Sequence, residues 1–234
     1  LVFLRLKLDR KVIAIVFIVV SLLLAASTLH QTYIWGASGR LGEKMTKLVP
    51  MSTRAWNQYS SVYFSRYNLT KNPENLVQAI EVMDDALKYI PSPLFVSNII
   101  IYKSILGTLQ EQDWQRFYQN LNGSASSHDK YQAFDYLLDD YIRGYGIDET
   151  NLIASIEVLE KQNIVDNKEY LKVANKVFNS KRRDRSIVFF KKFVEKSPAD
   201  ELMVQELVEG LAAGGRTEWA SELEKIRKRV KVES

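Results

Sequence analysis

Residues 12–29 read VIAIVFIVVSLLLAASTL, eighteen positions from Val12 to Leu29 without one charge. As a helix rising about 1.5 Å per residue, such a run is just long enough to cross a bilayer core about 30 Å thick. Its polar side chains are Ser21, Ser27 and Thr28, too few for the polar face of a soluble surface helix. The run therefore divides the chain into an anchor, 12–29, and a long body that follows it.

The flanks are unequal. Arg5, Lys7, Arg10 and Lys11 precede the run against Asp9, and the first cation after it is Arg40. Basic residues hold their end of a span in the cytoplasm, so segment 1–11 is expected inside and the body outside. His30, Tyr33 and Trp35 stand where an interfacial polar and aromatic belt belongs. The same N-terminal flank supplies most of the formal net charge of +4, so the basic balance signals topology and implies no nucleic-acid partner. A cleaved signal peptide is the competing reading. Its apolar region would be shorter, about 7–15 residues, and Ala25-Ala26-Ser27 would serve as its cleavage site. Leu1-Val2-Phe3-Leu4 also reads as the tail of another apolar stretch, which would make the chain the C-terminal piece of a longer, multi-spanning protein. The absence of cysteine excludes disulfides, thiolate catalysis and cysteine-held metal sites. A body of this size buries a core without such staples.

From Pro50 onward, apolar residues recur at spacings of three and four, and no period-two run is sustained. Leu76, Ala79, Ile80, Met83, Ala86, Leu87 and Ile90 form one helical face. It opens at Asn72-Pro73-Glu74 and stops at Pro91. Trp56, Tyr59, Ser60 and Tyr63 lie on a preceding helix in the order aromatic, large, small, aromatic. This pairing resembles the tetratricopeptide repeat, a helix–turn–helix unit of about 34 residues. The link from Asn68 to Glu74 is longer than that family's turn. A second copy has Tyr170, Val173, Ala174 and Val177, then Ser186, Phe190, Phe193 and Pro198. Ser186 and Phe193 replace small alanines, which implies looser or shifted packing. A third runs through Val204, Leu207, Val208 and Leu211 to Gly215 and Ala220, ending in a charged helix suited to a terminal cap. Between Leu94 and Val165 the phase is weaker, with helices expected over 95–106, 114–121, 131–142 and 151–159. Gly123-Ser124-Ala125-Ser126-Ser127 reads as a linker between two arms. The expected organisation is thus all-α: a juxtamembrane connector and short helix over 30–49, helix pairs over 50–122, and a second repeat segment with a charged C-terminal cap over 123–234.

A narrower resemblance concerns the junction. Thr32-x-x-x-Gly36, Leu41 and Lys47-Leu48-Val49-Pro50-Met51-Ser52-Thr53-Arg54-Ala55-Trp56 are similar to the junction in bacterial multi-spanning glycan proteins. In those O-antigen polymerase-like or oligosaccharyltransferase-like proteins, a last transmembrane helix precedes an extracytoplasmic repeat tail. The resemblance implies a bacterial inner membrane, with catalytic loops upstream of Leu1 and no family active-site residue in this chain.

Within the chain no catalytic set stands out, and no metal or cofactor is expected. His30 and His128 are far apart in sequence. Asp84-Asp85 and Asp139-Asp140 are neighbours that point about 100° apart on a helix, so they do not face one another as an acid–base pair does. Asp148-Glu149 reads as compensation of a helix N-terminus. Gly36, Gly39 and Gly42 lack the preceding strand of a phosphate loop, and a flexible exit from the membrane accounts for them. Two features suit partner binding. Trp56, Tyr59, Tyr63, Phe64 and Tyr67 recur along one helix, either as core or as the wall of an aromatic groove. Lys181-Arg182-Arg183-Asp184-Arg185 forms a basic turn, either simply solvated or suited to an acidic partner, lipid headgroups or an anionic glycan. The candidate partner-binding residues are therefore Trp56, Tyr59, Tyr63, Tyr67, Arg182 and Arg183. The expected function is an anchored extracytoplasmic scaffold that holds a protein or peptide in its repeat groove. The alternative is the tail of a glycan polymerase or glycosyltransferase.

Overall fold

The computed structural model describes residues 10–198 and 202–233. The readings placed on Leu1 to Leu4, and on Arg5, Lys7 and Asp9, lie outside the described residues, as do those on the side chains of Arg10 and Trp35. Among the described residues there are twelve α-helices, one short 3-10 helix and no strand.

The first helix, α1 (Arg10–Trp35), contains the apolar run and is long and apolar enough to cross a membrane. None of its apolar window is buried against the rest of the described residues, unlike the core helix of a soluble protein. Its two threonine hydroxyls are satisfied within the helix. Thr28 Oγ1 donates to the Leu24 carbonyl at 2.9 Å and Thr32 Oγ1 to Thr28 at 2.9 Å. An apolar solvent therefore meets no unpaired hydroxyl at either threonine.

The second helix, α2 (Ser38–Leu48), follows a two-residue turn and buries Gly42 and Thr46 against α3 (Thr53–Thr70). Ser52 caps α3 by accepting from the Ala55 N–H at 3.3 Å, and Trp56 Nε1 donates to the Pro50 carbonyl at 2.8 Å. Asn72 Oδ1 accepts from the Glu74 N–H at 3.0 Å to start α4 (Glu74–Leu87), whose Leu76, Ala79, Met83 and Ala86 are fully buried. Next comes α5 (Pro93–Leu106), apolar all round because it is enclosed by α4, α6 (Glu111–Asn122) and α7 (Ser127–Arg143). The rest are α8 (Glu149–Lys161), α9 (Lys168–Phe178), the 3-10 turn Arg183–Ser186, α10 (Ile187–Lys196), α11 (Leu202–Ala213) and α12 (Thr217–Glu233).

Consecutive helices pack in pairs: α3 with α4, α5 with α6, α7 with α8, α9 with α10 and α11 with α12. The pairs then join as two rows. In the first row, Asn98 of α5 donates to Asn57 of α3, α5 packs on α7, and Lys176 of α9 bridges Asp135 and Asp139 of α7. In the second, Arg116 of α6 pairs with Asp84 of α4, α6 packs on α8, Lys196 of α10 pairs with Glu160 of α8, and α10 packs on α12. A single core cluster runs from Trp56 to Leu223.

Three expectations change. The long link between α3 and α4 is absorbed by α3, which continues to Thr70 and leaves only residues 71–73 outside helix. The Gly123–Ser127 stretch separates no arms, since α5 meets α7 and α6 meets α8 across it; Ser126 caps α7 by accepting from the Asp129 N–H at 3.1 Å. The glycines after the anchor are not a flexible exit: Gly39 and Gly42 are helical, and a Cβ at Gly42 would stand 2.9 Å from the Tyr59 ring. That close approach is what lets α2 lie on α3.

Candidate functional site

The aromatic residues of α3 do not line one groove. Trp56 is 7% exposed and stacks on Tyr89 with ring centroids 5.8 Å apart. Tyr59 lies against Gly42, and its hydroxyl pairs with that of Tyr63 at 3.2 Å. Burial first, and the Tyr63 hydrogen bond second, push the Tyr59 phenol well above its ordinary range. Tyr63 has the Arg66 guanidinium 5.6 Å over its ring, and Tyr67 has the Lys71 ammonium at 5.2 Å. Trp56 and Tyr59 border a hollow of about 500 Å³ with Pro50, Asp85, Lys88 and Tyr89. Tyr63 and Tyr67 are not among its walls.

The basic turn is held against its neighbours, with Arg182 half-buried and Lys181, Arg183 and Arg185 still exposed. The Arg182 guanidinium lies 4.4 Å over the Tyr141 ring, and Arg183 Nε donates to the Phe178 carbonyl at 3.0 Å. Arg185 Nε stands 3.7 Å from Glu149. These cations tie the α9–α10 turn to α7, α8 and α9, at the other end of the first row from α3. The structure therefore does not bring Arg182 and Arg183 together with the tyrosines.

A different set converges where the first row crosses α3, α5 and α7. Phe64, Asn98, Ile101, Tyr102, Tyr136, Asp139, Asp140 and Arg143 line a hollow of about 250 Å³. Its floor is aromatic: Phe64 and Tyr102 meet with centroids 5.2 Å apart, and Ser60 Oγ donates to the Tyr102 hydroxyl at 3.4 Å. Burial raises the Tyr102 phenol above its usual range, so it stays neutral. Tyr136 is exposed on the wall, with its hydroxyl accepting from Gln132 at 2.8 Å. Asp140 is buried and accepts from Arg143 Nη1 at 3.0 Å. Burial raises its carboxyl, Arg143 partly offsets this, and Asp139 adds a smaller push upward. The face thus offers an apolar floor with one exposed tyrosine and fixed charges at the edge, which suits recognition of an apolar side chain beside polar backbone. Sequence reading missed it because Tyr136 and Phe64 belong to different helix pairs and meet only when α5 lies between them.

A larger and more polar hollow, about 740 Å³, lies beside the α8–α9 turn. Tyr131 and Lys172 occupy both Glu169 oxygens, each at 2.9 Å, so its polar groups are already committed to one another.

Among the described residues no group of three potential ligands stands close enough to hold a metal. Asp84 and Asp85 pair separately with Arg116 and Lys88, each at 2.6 Å, which agrees with solvated helix faces. Asp148 accepts from the Asn151 N–H at 2.9 Å as the cap of α8. No family model, curated protein or solved structure matches the chain.

Proposed function

We propose that the chain is a membrane-anchored scaffold for protein–protein interaction. In this reading α1 spans a bacterial inner membrane with its N-terminus in the cytoplasm. The body then stands outside the cytoplasm as a tetratricopeptide-like stack of helix pairs. The hollow spanned by Phe64, Tyr102, Tyr136 and Arg143 is the observation that carries it, since it draws residues from three helices of one row into one surface. An extended segment bearing an aromatic or aliphatic side chain fits such a surface.

The test is selection of displayed peptides on the full chain held in lipid nanodiscs. Peptides enriched on the wild type are expected to lose at least about tenfold in affinity for Tyr136→Ala, the loss typical of an exposed interface tyrosine. Equal binding to Tyr136→Ala would overturn the assignment of this face.

A second reading rests on the junction from Lys47 to Trp56: the chain as the C-terminal part of an envelope glycan polymerase or glycosyltransferase. Further in-frame apolar spans encoded upstream of Leu1 would favour it. A start site immediately upstream would remove it.

A further inference from the structure

We infer that α2 is an interfacial helix, whose outward face lies on the anionic headgroup and acyl boundary of the membrane that α1 crosses. The inference rests on α1 being a membrane span. Gly42 and Thr46 define the side of α2 buried against α3. About a third of a turn round from that contact, Leu41, Met45 and Leu48 fall at i, i+4 and i+7, one narrow stripe at about 100° per residue. Leu41 is half-buried, while Met45 is 39% and Leu48 is 64% exposed. Beside this stripe, on the side directly opposite α3, stand Arg40 and Lys44. An apolar stripe flanked by cations is the pattern of a helix lying in the bilayer interface, where the cations meet lipid phosphates.

The placement of α2 agrees. Arg40 Nε donates to the Tyr33 carbonyl at 2.8 Å with its guanidinium 3.8 Å over the Tyr33 ring, and Lys44 Nζ reaches Gln31 at 3.5 Å. A helix continuing in line from α1 would carry Lys44 about 20 Å beyond Gln31, too far for these side chains to bridge. The second helix therefore lies across or back along the end of α1, and the face opposite α3 is the one turned toward the span. Leu48 is then held near the level where the apolar run ends. The body would rest on the membrane surface through α2 instead of swinging freely from a tether.

The chain has no cysteine, so a single introduced thiol is unique. Full-length Leu48→Cys, Leu24→Cys and Gln119→Cys proteins, each carrying an environment-sensitive fluorophore, would be reconstituted in phosphatidylcholine vesicles containing phosphatidylglycerol. Quenching by nitroxide on the lipid chains and by iodide in water would then be measured. The Leu48 probe is expected to be quenched by lipid at least about threefold more than the Gln119 probe, and to be shielded from iodide. Neutralising Arg40→Gln and Lys44→Gln together should reduce that lipid quenching in anionic vesicles; no reduction would overturn the role given to the cations. A Leu48 probe that matches Gln119 while Leu24 is quenched by lipid would overturn the inference and leave the anchor standing. Iodide access to Leu24 would instead overturn the anchor, and the inference with it.

Discussion

The Asp113 carboxylate joins two elements. It accepts from the Gln110 N–H at 3.0 Å as half of the capping box of α6, and pairs with Lys103 of α5 at 2.6 Å. Both partners are shielded, with 27% and 7% of the two side chains exposed. Asp113→Ala removes the cap and leaves a shielded cation alone, at a cost of about 2–4 kcal/mol. Asp113→Asn keeps the cap and is expected to cost about half that. Urea unfolding of the two variants checks the ranking; equal costs would contradict it. Asp140 predicts a pH effect of opposite sign to the usual carboxylate. Its folded pKa is raised by burial, so the folded state holds the proton more tightly than the unfolded one. Its ionisation therefore subtracts stability as pH rises above the ordinary carboxylate range, and that loss is complete above the raised value. Asp140→Asn should stabilise the fold at neutral pH, with the gain fading as pH falls into the carboxylate range. Denaturation midpoints over a pH series read this directly, and a constant difference at all pH would contradict it. At this scale the sequence was only partly legible. Asp148 announced its cap through the following helix pattern, whereas the Lys103 partner of Asp113 and the burial of Asp140 arise only through packing.

Among elements, α2 joins an expected short helix to an approach to α3 that only packing shows. Gly36, Gly39 and Gly42, three glycines in seven residues, suggested a flexible exit from the membrane, because glycine lowers helix propensity by about 1 kcal/mol each. Tertiary packing overrides that cost, since Gly42 lets α2 approach α3 at Tyr59. A Cβ there would lie 3.0 Å from the Tyr59 Cα as well, so backbone and not only a flexible tip must yield. Gly42→Val is expected to cost about 1–3 kcal/mol and to loosen α2 from the body. Hydrogen exchange along 38–48 should accelerate in the variant; unchanged protection would show that the contact does not hold α2. Longer elements were easier to read. The α4 face from Leu76 to Ala86 and its Pro73 start follow from local chemistry alone. The end of α3 did not, because Thr70 and Lys71 carry no strong stop signal, and the left-handed turn at Lys71 (φ 56) has no glycine to mark it.

For the whole molecule, one long uncovered apolar helix stands beside a body with a continuous core. Although α1 runs on past Leu29 to Trp35, the apolar first helix and the all-helical class were legible because each depends on the pattern within a single helix. The two-row packing was not, since it depends on which pairs meet, and Asp84 with Arg116 or Lys176 with Asp135 leave no trace in local spacing. The binding surface proposed for Tyr136 belongs to the same class of property. Both that surface and the interfacial placement of α2 presuppose that α1 lies in lipid. Alkaline carbonate extraction of membranes from cells making the full chain tests this most directly. The wild type is expected to stay in the membrane pellet. Leu22→Arg with Leu23→Arg, each arginine costing roughly 2.5–3.5 kcal/mol at a span centre, is expected to shift the chain to the soluble fraction. Release of the wild type by carbonate to the same extent as that variant would contradict the account.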